Sequence, residues 1–141
     1  MKIIYWSGTG NTEEMAKFIA QGIEEAGKKA ELINISTNNI DSLENEKVVV
    51  LGCPSMGAEE LEESEFSPFL ESIEDQLKGK IVVLFGSYGW GDGEWMRNWQ
   101  EKMVQIGCDV PLEPVIVNYT PEGDTIDECI NYGKEIASLD K

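Results

Sequence analysis

Histidine is absent from this 141-residue chain. That removes the side chain most often used as a general acid or base near neutral pH, and a common ligand for transition metals. Cationic side chains are scarce. Eleven Lys and Arg stand against 27 Asp and Glu, a formal charge of −16. Such a chain is repelled by polyanions, so neither nucleic acid nor membrane is an expected partner, whereas a protein with a basic docking face is. The three cysteines, Cys53, Cys108 and Cys129, are too widely spaced for a zinc or iron–sulfur ligand set. Their odd number points to reduced thiols in a cytoplasmic protein. Cys53 closes an apolar run and Cys129 falls on an apolar helix face, so core packing is expected of both. No apolar run approaches the roughly 20 residues of a membrane helix, and the start has neither the length nor the charge of a secretory signal. With no linker, repeat or low-complexity segment, residues 1–141 are expected to form a single domain.

What is present alternates in a regular way. Apolar runs at Ile3–Trp6, Ala30–Ile35, Val48–Gly52, Ile81–Phe85 and Val115–Val117 predict five strands. Between and after them come helical faces spaced by three and four residues. They are Met15, Phe18, Ile19, Gly22, Ile23 and Ala26; Phe66, Phe69, Leu70, Ile73 and Leu77; Trp95, Trp99, Met103 and Ile106; and Ile126, Cys129, Ile130, Gly133, Ile136 and Ala137. Strand–helix alternation predicts an α/β three-layer sandwich, a parallel sheet with helices on both faces.

The first strand turns into the first helix through Ser7-Gly8-Thr9-Gly10-Asn11-Thr12. A helix that starts there exposes unpaired N–H groups and the positive end of its dipole, an anion site. The loop holds hydroxyls and an amide but no Lys or Arg. It therefore lacks the lysine of a nucleoside-triphosphate loop, and Asn11-Thr12-Glu13 breaks the dinucleotide fingerprint. A Cys-and-Arg phosphatase loop is excluded too. In parallel α/β sheets ligands sit beyond the carboxyl ends of the strands. Two further strand ends then matter, Pro54-Ser55-Met56-Gly57-Ala58-Glu59 and Ser87-Tyr88-Gly89-Trp90-Gly91-Asp92. Met56 and Trp90 are large apolar side chains on glycine-bearing loops, poorly explained by packing. A flat aromatic ligand between them explains both.

These three stretches resemble, in order, the short-chain flavodoxins, a family of FMN-binding electron carriers, and the likeness runs the full length of the chain. The resemblance implies strand order 2-1-3-4-5. It implies that Ser7, Gly8, Thr9, Gly10, Asn11 and Thr12 hold the FMN phosphate. Met56 would cover one flavin face, beside Pro54 and Ser55, and Trp90 the other, beside Ser87 and Tyr88. Glu59, with Gly89, Gly91 and Asp92, would meet the polar edge of the ring. Gly57 would be the position whose carbonyl turns toward flavin N5 on reduction. Ala58 departs from the family, which often has Gly or a polar residue there. Because Ala resists φ > 0, it is expected to bias that turn. The resemblance further implies no catalytic or metal-binding residues. The function it implies is a monomeric low-potential carrier that shuttles mainly between semiquinone and hydroquinone and serves redox proteins with basic docking faces. Glu59, Glu60, Glu62, Glu63, Glu65 and Asp92 are expected to depress the lower potential by crowding the reduced anion. Three readings compete, one of them a non-redox FMN-binding or scaffold module. A receiver-type switch needs strand-end aspartates that Leu51-Gly52-Cys53 lacks. A flavin-dependent enzyme needs a second pocket beside the ring.

Overall fold

The computed structural model describes residues 1–40 and 42–140. Its strands are β1 (Lys2–Tyr5), β2 (Glu31–Asn34), β3 (Val48–Gly52), β4 (Ile81–Tyr88) and β5 (Val115–Asn118). The helices are α1 (Asn11–Glu25), α2 (Phe66–Leu77), α3 (Glu94–Gln105) and α4 (Asp124–Leu139). All strand pairs are parallel, and the sheet runs β2-β1-β3-β4-β5. The order implied by the resemblance is thus the order found, and it reverses between β1 and β3.

The solid apolar runs of β1, β3 and β4 exist because these strands are buried on both faces, whereas the edge strand β2 buries only Ile33. Ile3, Tyr5, Val48, Val50, Val83, Phe85, Val115 and Val117 face a cluster with residues of α1 and α4. Ile4, Ile33, Val49, Leu51, Val82 and Leu84 face the other, with α2 and α3. Helices α1 and α4 cross unusually closely. A Cβ on Gly22 would stand 1.9 Å from the Ile130 carbonyl oxygen, and one on Gly133 would stand 2.1 Å from that of Ile19. Tyr132 of α4, outside the expected helix face, is buried, and its hydroxyl donates to the Leu84 carbonyl oxygen at 3.0 Å. Burial pushes its phenol well above the ordinary tyrosine value.

Several boundaries differ from the sequence reading. Trp6 lies past the end of β1, and Ala30 and Ile35 lie outside β2. Of the expected apolar faces, Ala26 is exposed, while Phe18, Phe69, Ile106, Ile126 and Ile130 are only half-buried. The largest correction is in β4, which continues through Gly86, Ser87 and Tyr88 instead of stopping at Phe85. Its extra residues pair with β5, as Gly86 with Ile116, Ser87 with Val117 and Tyr88 with Asn118. Tyr5, Gly52 and Phe85 share one level of the sheet. The carboxyl edge is therefore stepped, with β4 and β5 standing beyond β1 and β3.

Candidate functional site

A cleft of about 250 Å³ opens over that step. Its walls are Trp6–Thr9, Asn11 and Thr12 from the first loop and α1, Pro54–Met56 after β3, Ser87–Gly89 at the end of β4, and Tyr119 after β5.

The first wall is a helix start. Gly10 takes φ 101° and α1 begins at Asn11. Ser7 Oγ accepts hydrogen bonds from the amides of Gly10, at 3.2 Å, and Glu13, at 3.3 Å. Those bonds fold the loop back onto the first turn. Among the described residues, the Asn11 and Thr12 amides have no acceptor in the chain. Thr12 Oγ1 is buried without a hydrogen-bond partner. A buried hydroxyl left unpaired costs about 1–3 kcal/mol. An anion at the helix N-terminus would pair with it and with the free amides. Among the described residues, no Lys or Arg lines the cleft. The donor set therefore fits a phosphate monoester gripped by neutral hydroxyls, amides and a helix dipole. Trp6 backs this loop. A Cβ on Gly8 would stand 2.9 Å from its ring. Its Nε1 donates to Glu65 Oε1 at 3.0 Å, an oxygen that also accepts from Ser36 Oγ at 3.1 Å.

The second wall ends in a small hairpin. Met56 and Glu60 exchange backbone hydrogen bonds of 2.8 and 2.9 Å around Gly57, Ala58 and Glu59. Positive φ falls on Gly57 (53°) and Glu59 (56°), not on Ala58. Ala58 thus avoids the left-handed region, as expected, and the strain moves one residue on. Glu59 is held there by its side chain. Its Oε1 accepts from the amides of Gly93, at 3.3 Å, and Glu94, at 3.1 Å. That carboxylate ties the hairpin to the loop that carries Trp90 and to the start of α3.

Eleven of the expected site residues meet on the cleft walls: Ser7, Gly8, Thr9, Asn11, Thr12, Pro54, Ser55, Met56, Ser87, Tyr88 and Gly89. Gly10 is the α1 N-cap. Gly57, Ala58, Glu59, Trp90, Gly91 and Asp92 lie on the two adjoining loops and do not line the cleft. Met56 is 40% exposed and Trp90 65%. Neither residue plugs the sheet. Trp6 and Tyr119 are lining residues that the sequence reading did not single out. Trp6 looked like strand, and Tyr119 sits in a stretch without a motif.

The acidic surround is less uniform than the sequence suggested. Glu62 is buried, and its carboxylate caps α2. Oε1 accepts from the amides of Glu65 (2.7 Å) and Phe66 (2.8 Å), and Oε2 from the Ser64 amide (2.8 Å) and from Ser64 Oγ. Burial alone would raise its pKa, but the bonds from Ser64, Phe66 and Glu65 outweigh burial and hold the carboxyl below its ordinary value. Asp92 pairs with Arg97 at 3.0 Å, and Arg97 also donates to the Asp92 carbonyl oxygen. Both carboxylates are therefore already engaged.

A model of the flavodoxin family matches residues 3–133. The chain is 55% identical over 139 residues to a flavodoxin of Clostridium beijerinckii, a match covering 99% of this chain and all of that one. It is 44% identical over 137 residues to a flavodoxin of Megasphaera elsdenii, covering 97% and 98% of the two chains. The chain belongs to the flavodoxin family. The solution structure of two-electron reduced Megasphaera elsdenii flavodoxin superposes with a TM-score of 0.88 over 97% of this chain and 98% of that one. A flavodoxin structure from the domain Archaea, 27% identical, gives 0.84 over 99% and 98%.

Flavodoxins are electron carriers, not enzymes, and FMN is their cofactor and the cofactor of this chain. Bound FMN supplies the redox chemistry, and the polypeptide binds, orients and surrounds it. Burial pushes Cys53 far above the usual thiol range and Cys129 to about 12. All three cysteines are free and buried, the packing role expected of Cys53 and Cys129.

Proposed function

We propose that this flavodoxin works at low potential, passing single electrons as FMN alternates between its half-reduced and fully reduced states. In this reading the phosphate is held by Ser7, Thr9, Asn11 and Thr12 with the loop amides. Met56 and Trp90 flank the ring. Glu59, with one carboxylate oxygen on α3, offers the other to the ring's polar edge near Gly89 and Gly91. The chain acts as a single domain over residues 1–141 and as a cytoplasmic monomer, its high negative charge opposing self-association.

The observation that carries the reading is unpaired negative charge beside the ring loops. Among the described residues, Glu60 and Glu63 are exposed and in no ion pair. A carboxylate ~10 Å from an anion costs it roughly 1–2 kcal/mol at an effective dielectric near 20. For one electron, about 1.4 kcal/mol corresponds to about 59 mV. Two such charges disfavour the fully reduced cofactor by some tens of millivolts or more after screening. The same surface suits docking on basic faces of redox partners.

An anaerobic redox titration of the FMN-loaded protein at low salt tests this. Two separated one-electron steps are expected. The lower one should rise by tens of millivolts in a Glu60→Gln/Glu63→Gln double variant. A single two-electron step would remove the one-electron reading, and an unmoved lower potential would remove the electrostatic one.

A further inference from the structure

Among the described residues only Glu59 and Tyr119 adopt positive φ without being glycine. Glu59 is explained by the bonds it makes to α3. Tyr119, at φ 59°, is not explained by packing, for it is 60% exposed. A bulky side chain in the left-handed region is costly, and such residues cluster where a site needs them. The costly conformation is held by two bonds to β4. The Tyr119 amide donates to the Tyr88 carbonyl oxygen at 2.8 Å, and Ser87 Oγ donates to the Tyr119 carbonyl oxygen at 2.6 Å. The turn lays the ring against Gly89, where a Cβ would stand 3.4 Å from it, and makes it a wall of the cleft. In sheet order, β5 lies farthest from the anion-binding end of β1.

We propose that Tyr119 is a cofactor-binding residue of this chain, an aromatic contact for the FMN ring system at the end of the cleft remote from the phosphate. The proposal rests on the FMN reading of the cleft. The ring supplies the affinity through aromatic contact, and the hydroxyl is dispensable. The left-handed backbone is the cost of aiming the ring there. A binding role and a structural role then predict opposite effects of removing the side chain. Glycine at position 119 relieves the backbone strain while it deletes the contact.

The test uses apoprotein of wild type, Tyr119→Gly, Tyr119→Asn and Tyr119→Phe, read by fluorimetric FMN titration and by thermal unfolding without FMN. Tyr119→Gly and Tyr119→Asn should melt at or above the wild-type temperature. Both should bind FMN roughly 3- to 10-fold more weakly, the scale of one aromatic contact. Tyr119→Phe should bind as wild type does. Unchanged FMN affinity in the Gly and Asn variants overturns the proposal, and so does a loss of affinity that merely follows a loss of apoprotein stability. Wild-type apoprotein that takes up no FMN overturns the FMN reading of the cleft itself.

Discussion

A single hydroxyl makes the sharpest case. Thr12 Oγ1 is buried with no partner, so it lowers the stability of the free protein and is useful only to a ligand. Thr12→Val keeps the shape and removes the orphan. The free protein should be as stable as wild type or more so, by up to about 1 kcal/mol. Its affinity for FMN should fall roughly tenfold or more, the scale of a hydrogen bond to a charged group. Apoprotein melting and FMN titration check the two halves separately. Ala58 supplies a second case. With φ positive at Gly57 and Glu59 but not at 58, its Cβ closes the left-handed alternative, worth roughly 1–2 kcal/mol. Ala58→Gly should reopen it and make the first one-electron potential more negative by some tens of millivolts, read in the same redox titration as wild type. Ala58 was legible in the sequence because a side chain on a glycine turn is a local signal. Tyr119 was not, since its importance comes from a backbone angle and from the end of β5, neither of which leaves a mark in residue type.

At the scale of elements, local patterns predicted what local physics decides. The five strands and most of the helix faces follow from periodicity. The misjudged features depend on pairing across the sheet. Gly86-Ser87-Tyr88 reads as loop because of its small residues, yet β5 supplies its hydrogen-bond partners and makes it strand. Glu62 reads as one charge among several, but the fold buries it as the cap of α2. That burial carries a prediction. The folded pKa lies below the ordinary value of 4.5, so the stability Glu62 contributes is complete above that value. It drains away as the pH falls through the lower folded pKa. Glu62→Gln should cost about 1–3 kcal/mol at neutral pH and flatten the loss of stability on acidification below that range. Denaturant unfolding across pH 3–7, about that range by carboxylate titration, measures both.

For the whole molecule the charge of −16 dominates. Self-repulsion opposes the compact state, and the site adds an anionic phosphate to it. Raising monovalent salt from about 10 mM to about 150 mM shortens the screening length from about 30 Å to about 8 Å. The melting temperature of the protein should rise over that range, in calorimetry at fixed pH. Reduction by a partner with a basic face should slow over the same range, in stopped-flow mixing. The contact between α1 and α4 has a different reach. The helix whose first turn carries the free amides and the unpaired Thr12 hydroxyl is locked, through Gly22 and Gly133, to α4. On the ribosome the anion-binding turn emerges early, and the element that braces it emerges after all five strands. FMN capture then waits on α4, and a chain truncated before Asp124 should lack a firm grip on its flavin.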